Sequence, residues 1–532
     1  MERFDIIIKN GFLVDGTGSK GFETDIGIIG DRISKIGNLK LAEADMVIDA
    51  AGKVVSPGFI DTHSHSSMLL FKDPFLSPKI RQGITTELVA QDGMGPAPVN
   101  DEYLPSWIKT MKGLEGDYGV EWTWRSVADY LKRIEELELG PNIAYLAPHG
   151  NLRLISMGLD NRKPTVEEMK LMKQNLAKCI EEGAFGMSTG MIYPPCMYAE
   201  IDEFIELGKV LSDKGALFVT HQRSEADYIL DSMDEILTIS KESGCRVHFS
   251  HFKVCGKNNW DTFPKVLDKL DKAADDGMLV SFDQYPYVAG STMMSVILPP
   301  WVHDGGTDKL LERLKNKTLR EKMKEDIING IPGWDNFVDF AGLEGIFVTF
   351  VVTEKNKHLV GKSLIEVGLA TGKEPLEAIF DVILEEEAIV GLVDFYGTEE
   401  HVKIIMSRKE QNVCTDGIMG GKPHPRLYGT FPRVLGKYTR DEKVFPLETA
   451  IYKMTGKSAE VLGLMDRGLL KENYAADIVV FDPDSIMDTG DYTDPIQYPI
   501  GIDYVFVNGK MLIDQGEPKP QKAGYVLKYL AR

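Results

Sequence analysis

Two histidines spaced i, i+2, His63 and His65, close the apolar run Pro57-Gly58-Phe59-Ile60-Asp61-Thr62. On an extended strand that spacing points both imidazoles to one face. Imidazole nitrogen is a favoured ligand for zinc and similar divalent ions, so two rings at a strand end can chelate one ion. Two later β-like runs, Val219-Thr220-His221 and Val247-His248-Phe249-Ser250-His251, also end in histidine. A single strand-end histidine is more often a hydrogen-bonded core group than a ligand. Three strands ending this way point instead to a metal held at one mouth of a sheet. His248 is offset by three from His251, faces the opposite side of its strand, and is read as structural.

Metal-activated water still needs a carboxylate to carry its proton. Two candidates end β-like runs: Asp416 in Asn412-Val413-Cys414-Thr415-Asp416-Gly417 and Asp92 in Leu88-Val89-Ala90-Gln91-Asp92-Gly93. Read singly, each Asp-Gly is a turn signal. The last strand of a barrel is nevertheless the right place for a proton shuttle.

These residues need a scaffold that gathers strand ends. Residues 166–182 carry apolar positions at helical spacing, and strand-like and helix-like segments then alternate through residues 184–283. Repeated βα order over some 350 residues predicts a parallel sheet closed as a barrel, with reactive groups where strands end. Residues 5–9, 25–29 and 46–49 look like antiparallel strands broken by turn signals, and residues 476–483 and 504–510 have the same texture. Both termini are therefore expected to share one sheet. The expected divisions are a β-unit from residues 1–57, a hydrolase barrel from residues 58–465 with an insertion at about 299–347, and a second part of the β-unit from residues 466–532. The insertion reads as a lid or a surface excursion.

The composition is that of a globular protein: 532 residues, 43% hydrophobic and 27% charged. A net charge of −21 disfavours nucleic acid and anionic lipid as partners. No signal-like leader and no run of about 18 apolar residues is present, which predicts a cytoplasmic protein with no membrane association. Cys179, Cys196, Cys245, Cys255 and Cys414 form no C-x-x-C pair and are expected to be reduced, buried residues.

Longer motifs carry a resemblance: His221-Gln222-Arg223-Ser224-Glu225, Ser250-His251-Phe252-Lys253, residues 283–292 beginning Asp283-Gln284-Tyr285-Pro286-Tyr287, and residues 424–433 beginning His424-Pro425-Arg426. With Pro57 to His65 and Asp416, they make the chain similar to the amidohydrolase superfamily, and within it to N-acyl-D-amino-acid deacylases, over its whole length. The resemblance implies an α/β fold: a distorted (β/α)8 TIM-type barrel, a small β-sandwich built from both termini, and an inserted small subdomain. It implies that His221 and His251 hold the tighter metal and His63 and His65 a second site, with Asp416 as general base and acid. It also implies that Arg426, Tyr193 and Ser291 bind the substrate carboxylate, while Tyr285 is either loop packing or a further substrate contact. The cofactor would be one or two divalent ions, zinc foremost, with cobalt, manganese or iron as alternatives. The partner would be a small N-acyl amino acid, and a homo-oligomer is compatible with the sequence.

One departure matters. Where the best-known deacylases have a metal-binding cysteine, this sequence has Asp92, a harder ligand whose two oxygens could bridge two ions. Many amidohydrolases use a carboxylated lysine from the fourth strand, but residues 183–190 contain no lysine. That weighs against the rival reading, a cyclic-amide hydrolase of hydantoinase or dihydroorotase type. A silent scaffold barrel would have lost ligands, and here every candidate position is filled except for the change of cysteine to Asp92. Lys253 reads as a salt-bridging group, His149 and Arg153 as structural, and Trp301, His303, His358 and His401 as packing or surface residues.

Overall fold

The computed structural model describes residues 3–530. A three-stranded parallel sheet (Phe59–Asp61, Ile84–Val89, Asn142–Tyr145) runs on through Ala147–Pro148 into a six-stranded one that adds Gly186–Gly190, Leu217–His221, Arg246–Phe249, Val280–Gln284 and Gln411–Val413. The ring of eight strand positions is closed where Ser64 bridges Gly417 and the Asp416 N–H donates to the His63 carbonyl at 2.9 Å. That closure sets the first strand's histidines beside the last strand's aspartate.

Amphipathic helices cover the barrel. In helix Ile201–Lys214, Phe204, Leu207 and Leu211 are buried at helical spacing, and Gly215 ends it with a left-handed φ of 65° that turns the chain into strand Leu217–His221. Helix Val166–Glu181 begins with a capping box in which Thr165 and Glu168 satisfy each other's backbone N–H groups.

Both termini share one nine-stranded sheet, joined where Val54–Pro57 pairs with Ile478–Phe481. Side chains alternate across it. Ile478 and Val480 enter a core with Ile26, Ile28 and Phe506, whereas Val479 and Phe481 pack with Phe59 and Phe431 of the barrel unit. The sheet thus wraps a core of its own on one side and docks on the barrel by the other. The antiparallel expectation holds for Arg3–Leu13 with Phe22–Ile29, but Glu43–Asp49 runs parallel to Arg3–Leu13. After the hairpin partner Arg32–Gly37, the chain crosses back and re-enters on the other side of the first strand.

Between barrel strands Val280–Gln284 and Gln411–Val413, the chain builds an antiparallel sheet of Ala289–Met293, Gly391–Phe395 and Ile346–Phe350, with Gly391–Phe395 in the middle. Helices including Thr307–Leu314, Lys317–Asn329 and Phe337–Ala341 belong to the same excursion. Residues Ser291, Asp335, Phe337 and Asp394 from it line a cavity with the barrel's strand ends. Among the described residues no helix is long and apolar enough to cross a membrane. All five cysteines are free and buried.

Candidate active site

The structure brings every sequence-selected histidine and both aspartates to one end of the barrel. His63 and His65 follow strand Phe59–Asp61, Asp92 follows Ile84–Val89, His221 ends Leu217–His221, His251 follows Arg246–Phe249, and Asp416 follows Gln411–Val413. Three of them turn inward through left-handed backbone: φ is 56° at Asp92, 35° at His251 and 49° at Asp416. Such residues cost about 1–2 kcal/mol each when they carry a Cβ. The packing around the mouth holds them there.

Two donor clusters share Asp92: His63, His65, Asp92 and Asp416 form one, and Asp92, His221 and His251 the other, all buried. One Asp92 oxygen, Oδ2, lies 3.5 Å from His63 Nε2 and 3.4 Å from His65 Nε2, while Oδ1 lies 3.8 Å from His251 Nε2. His65 Nε2 is also 3.2 Å from Asp416 Oδ1, and His221 Nδ1 is 3.0 Å from His251 Nε2. Most of these separations are long for hydrogen bonds. They bracket the roughly 3.3 Å edge expected of a tetrahedron with metal–ligand distances of about 2.0–2.1 Å. Asp92 Oδ1 and both ring nitrogens of His63 are buried without a hydrogen-bond partner. Unpartnered nitrogen and oxygen atoms converging on one point fit a divalent cation with nitrogen and oxygen ligands.

The electrostatics agree. Burial opposes charge on His65, but its hydrogen bonds to Asp416 and Asp92 outweigh that and lift its pKa to about 10. Burial would raise the Asp92 pKa, yet the surrounding histidines, His63 foremost, hold it well below the usual carboxylate range. His221 goes the other way, pushed down to about 4 chiefly by burial. The site thus keeps two anionic carboxylates among imidazoles and favours added positive charge.

Arg426 adjoins the first cluster through Asp416. It is fully buried, with Nη1 2.9 Å from Asp416 Oδ2, Nη2 donating to the Ser291 carbonyl at 2.9 Å, and Nε without a partner. The Tyr285 ring lies under its guanidinium, 4.4 Å away, and the Tyr285 hydroxyl is 2.6 Å from that of Tyr396. Tyr193 lies edge-on to His221, and its hydroxyl is 2.8 Å from Thr292 Oγ1. Ser291 lines the cavity, but its hydroxyl donates to the Leu392 carbonyl at 2.8 Å and serves the sheet. The cavity is narrow, with about 40 Å³ open to the centres of water-sized molecules.

Several groups escaped sequence reasoning. Glu225 lies 3.3 Å from His251 Nδ1 and 2.7 Å from Lys253 Nζ, and only its place in the His221–Glu225 motif hinted at it. Beneath the histidines, Lys79 Nζ lies 2.7 Å from both Asp61 and Glu87 and donates to Ser64 and Thr415 at 2.8 and 2.9 Å. A buried lysine has no periodic signature. His248 bonds Ser281 and Asp283 away from the cavity. His149 and Arg153 share Glu203, apart from the donor clusters.

The amidohydrolase family model matches residues 46–286 and 406–513, covering the barrel strands and skipping the excursion. The chain belongs to the amidohydrolase family. Among amidohydrolases it is 34% identical to a D-aminoacylase from Alcaligenes xylosoxydans xylosoxydans, across 98% of this chain and 97% of the relative. It superposes with a TM-score of 0.84 on the N-acyl-D-glutamate deacylase of Bordetella bronchiseptica, solved with zinc and a phosphonate mimic of the tetrahedral intermediate. That match has 30% identity and covers 99% of this chain and 100% of that one. A D-hydantoinase superposes at 0.55 with 15% identity, a likeness of fold alone.

Proposed function

We propose that this amidohydrolase cleaves the amide bond of N-acyl-D-amino acids to a carboxylate and a free D-amino acid. The observation that carries the reading is the pairing of two features in one cavity: the donor clusters sharing Asp92, and the Arg426 guanidinium with its unpartnered Nε. Asp92, His63, His65, His221 and His251 would hold one or two ions, with zinc the favoured metal. When bound, such an ion polarises a carbonyl and brings water's pKa toward about 7.

The chain's own residues supply the rest. Arg426, stacked on Tyr285, anchors the substrate's α-carboxylate through its planar fork of donors, with Tyr193 in the same cavity as a second contact. Glu225 and Lys253, 3.3 and 2.8 Å from His251 Nδ1 and paired with each other, fix the orientation of that ring at the cavity mouth. Asp416 Oδ1 takes the proton of the attacking water and returns it to the departing nitrogen, so the C–N bond breaks as an amine leaves and a carboxylate remains.

The test is amine release from paired N-acetyl-D- and N-acetyl-L-amino acids by zinc-reconstituted protein, with a chelator-treated control. Chelator-sensitive release from the D series at least about tenfold faster than from the L series is expected. Absence of release from both series by metal-loaded protein would overturn the reading.

A further inference from the structure

Two carboxyl groups in the cavity have no place in the chemistry above. Asp335 is 6% exposed and held in place, with Ser224 Oγ donating to one oxygen at 2.5 Å and the Glu225 N–H to the other at 2.6 Å. Asp394, 3% exposed in strand Gly391–Phe395, accepts no hydrogen bond from another residue. Its cross-strand neighbour is Gly290, where a Cβ would come within 3.0 Å of Asp394 Oδ1. The carboxyl therefore lies over the bare face of a glycine, in space that any other residue would contest, beside Tyr396 and the Tyr285 hydroxyl.

The cavity offers these acids no unengaged base: Lys253 and Arg426 are near enough to Asp394 to act on its charge, but both are already paired. Apart from the donor clusters, its charged residues are Glu225, Lys253, Asp335, Asp394 and Arg426. Lys253 is engaged by Glu225 at 2.7 Å, and Arg426 by Asp416 at 2.9 Å and, in the complex, by the substrate's α-carboxylate. A buried carboxylate without a cation is costly, and burial accordingly lifts both pKa values to about 7. A ligand that brings its own cation relieves that cost, whereas one that brings another anion adds to it. Phe337, Phe340 and Ile418 supply apolar wall for the methylene stem of such a side chain.

We propose that Asp394, backed by Asp335, sets the substrate's side-chain specificity, selecting N-acyl-D-amino acids with a basic side chain and rejecting acidic ones. The inference rests on the deacylase reading above. Near-equal identity to a D-aminoacylase and to a D-glutamate deacylase does not decide side-chain class; the cavity's charge does.

The experiment compares kcat/KM for N-acetyl-D-lysine, N-acetyl-D-arginine, N-acetyl-D-norleucine and N-acetyl-D-glutamate on zinc-reconstituted wild type, Asp394→Asn and Asp335→Asn. The wild type is expected to prefer lysine over norleucine by about tenfold or more, with glutamate slowest. Asp394→Asn is expected to erase most of the lysine-to-norleucine ratio, a quantity read within one protein and so insensitive to a loss of folded fraction. Asp335→Asn should lower the ratio less. Equal or faster turnover of norleucine or glutamate by the wild type would overturn the proposal, as would an unchanged ratio in Asp394→Asn. No turnover of any of the four, with the remaining N-acetyl-D-amino acids also inert, would show that the deacylase reading itself had failed.

Discussion

Arg426 Nη1 and Asp416 Oδ2 lie 2.9 Å apart in full burial, so the group proposed to bind the substrate's carboxylate also holds the group proposed to move its proton. Burial alone would raise the Asp416 pKa, but Arg426 more than any other neighbour keeps it far below the usual carboxylate range. A lysine cannot reproduce a planar fork that serves Asp416, the Ser291 carbonyl and a substrate carboxylate together. Arg426→Lys is expected to lower kcat/KM for N-acetyl-D-amino acids by about 100-fold. Steady-state kinetics within a few-fold of wild type would contradict the assignment.

Asp92 is the residue the two donor clusters have in common. Asparagine tolerates its left-handed φ of 56° better than most residues, so Asp92→Asn isolates the loss of charge from any change of backbone. Competition with a chelator, read by elemental analysis, should show metal affinity falling at least about tenfold while circular dichroism stays unchanged. Full metal retention would remove Asp92 from the ligand set.

The Lys79 network couples the first, second and last barrel strands beneath the histidines. Lys79→Met would leave Asp61 and Glu87 buried with no cation, a change expected to cost about 3–5 kcal/mol. Chemical denaturation should report it as a shift in midpoint at constant slope. A variant as stable as wild type would mean that the acids are neutral in the folded protein.

Part of this was legible in the sequence. Histidines that end β-runs marked the mouth of the barrel, but the left-handed turn that brings His251 inward lies past its strand and has no period-two signal, and His248, expected on the other face, shares Asp283 with Thr62 at the end of the first barrel strand. Asp92 and Asp416 were visible as carboxylates before glycine turns. Glu225, Lys79 and Asp394 were not singled out, because their meaning comes from partners distant in sequence. Asp394 matters through Gly290 across an antiparallel pair, and Lys79 through Thr415. The parallel run of Glu43–Asp49 was hidden for a related reason: an alternating pattern fixes which face a side chain takes, not the direction of the neighbouring strand.

Asp394 also makes a prediction about stability. Its folded pKa of about 7 exceeds the ordinary aspartate value of 3.8 that holds in the unfolded chain, so the stability it contributes is fully present below that value and is lost as pH rises through about 7. An asparagine at this position does not titrate. The melting temperature of Asp394→Asn relative to wild type should therefore increase from pH 4 to about 7 and level off above, by an amount equivalent to at most about 4 kcal/mol. A pH-independent difference would show that Asp394 is ionised throughout.

The central claim is that Asp416 carries the proton of a metal-dependent amide hydrolysis. Asp416→Asn keeps the shape of the side chain and removes its basicity, so the decisive measurement is kcat for an N-acetyl-D-amino acid together with bound metal in the same preparation. The account predicts metal content close to wild type with kcat reduced by about 100-fold or more. Near-normal kcat with metal retained would contradict it.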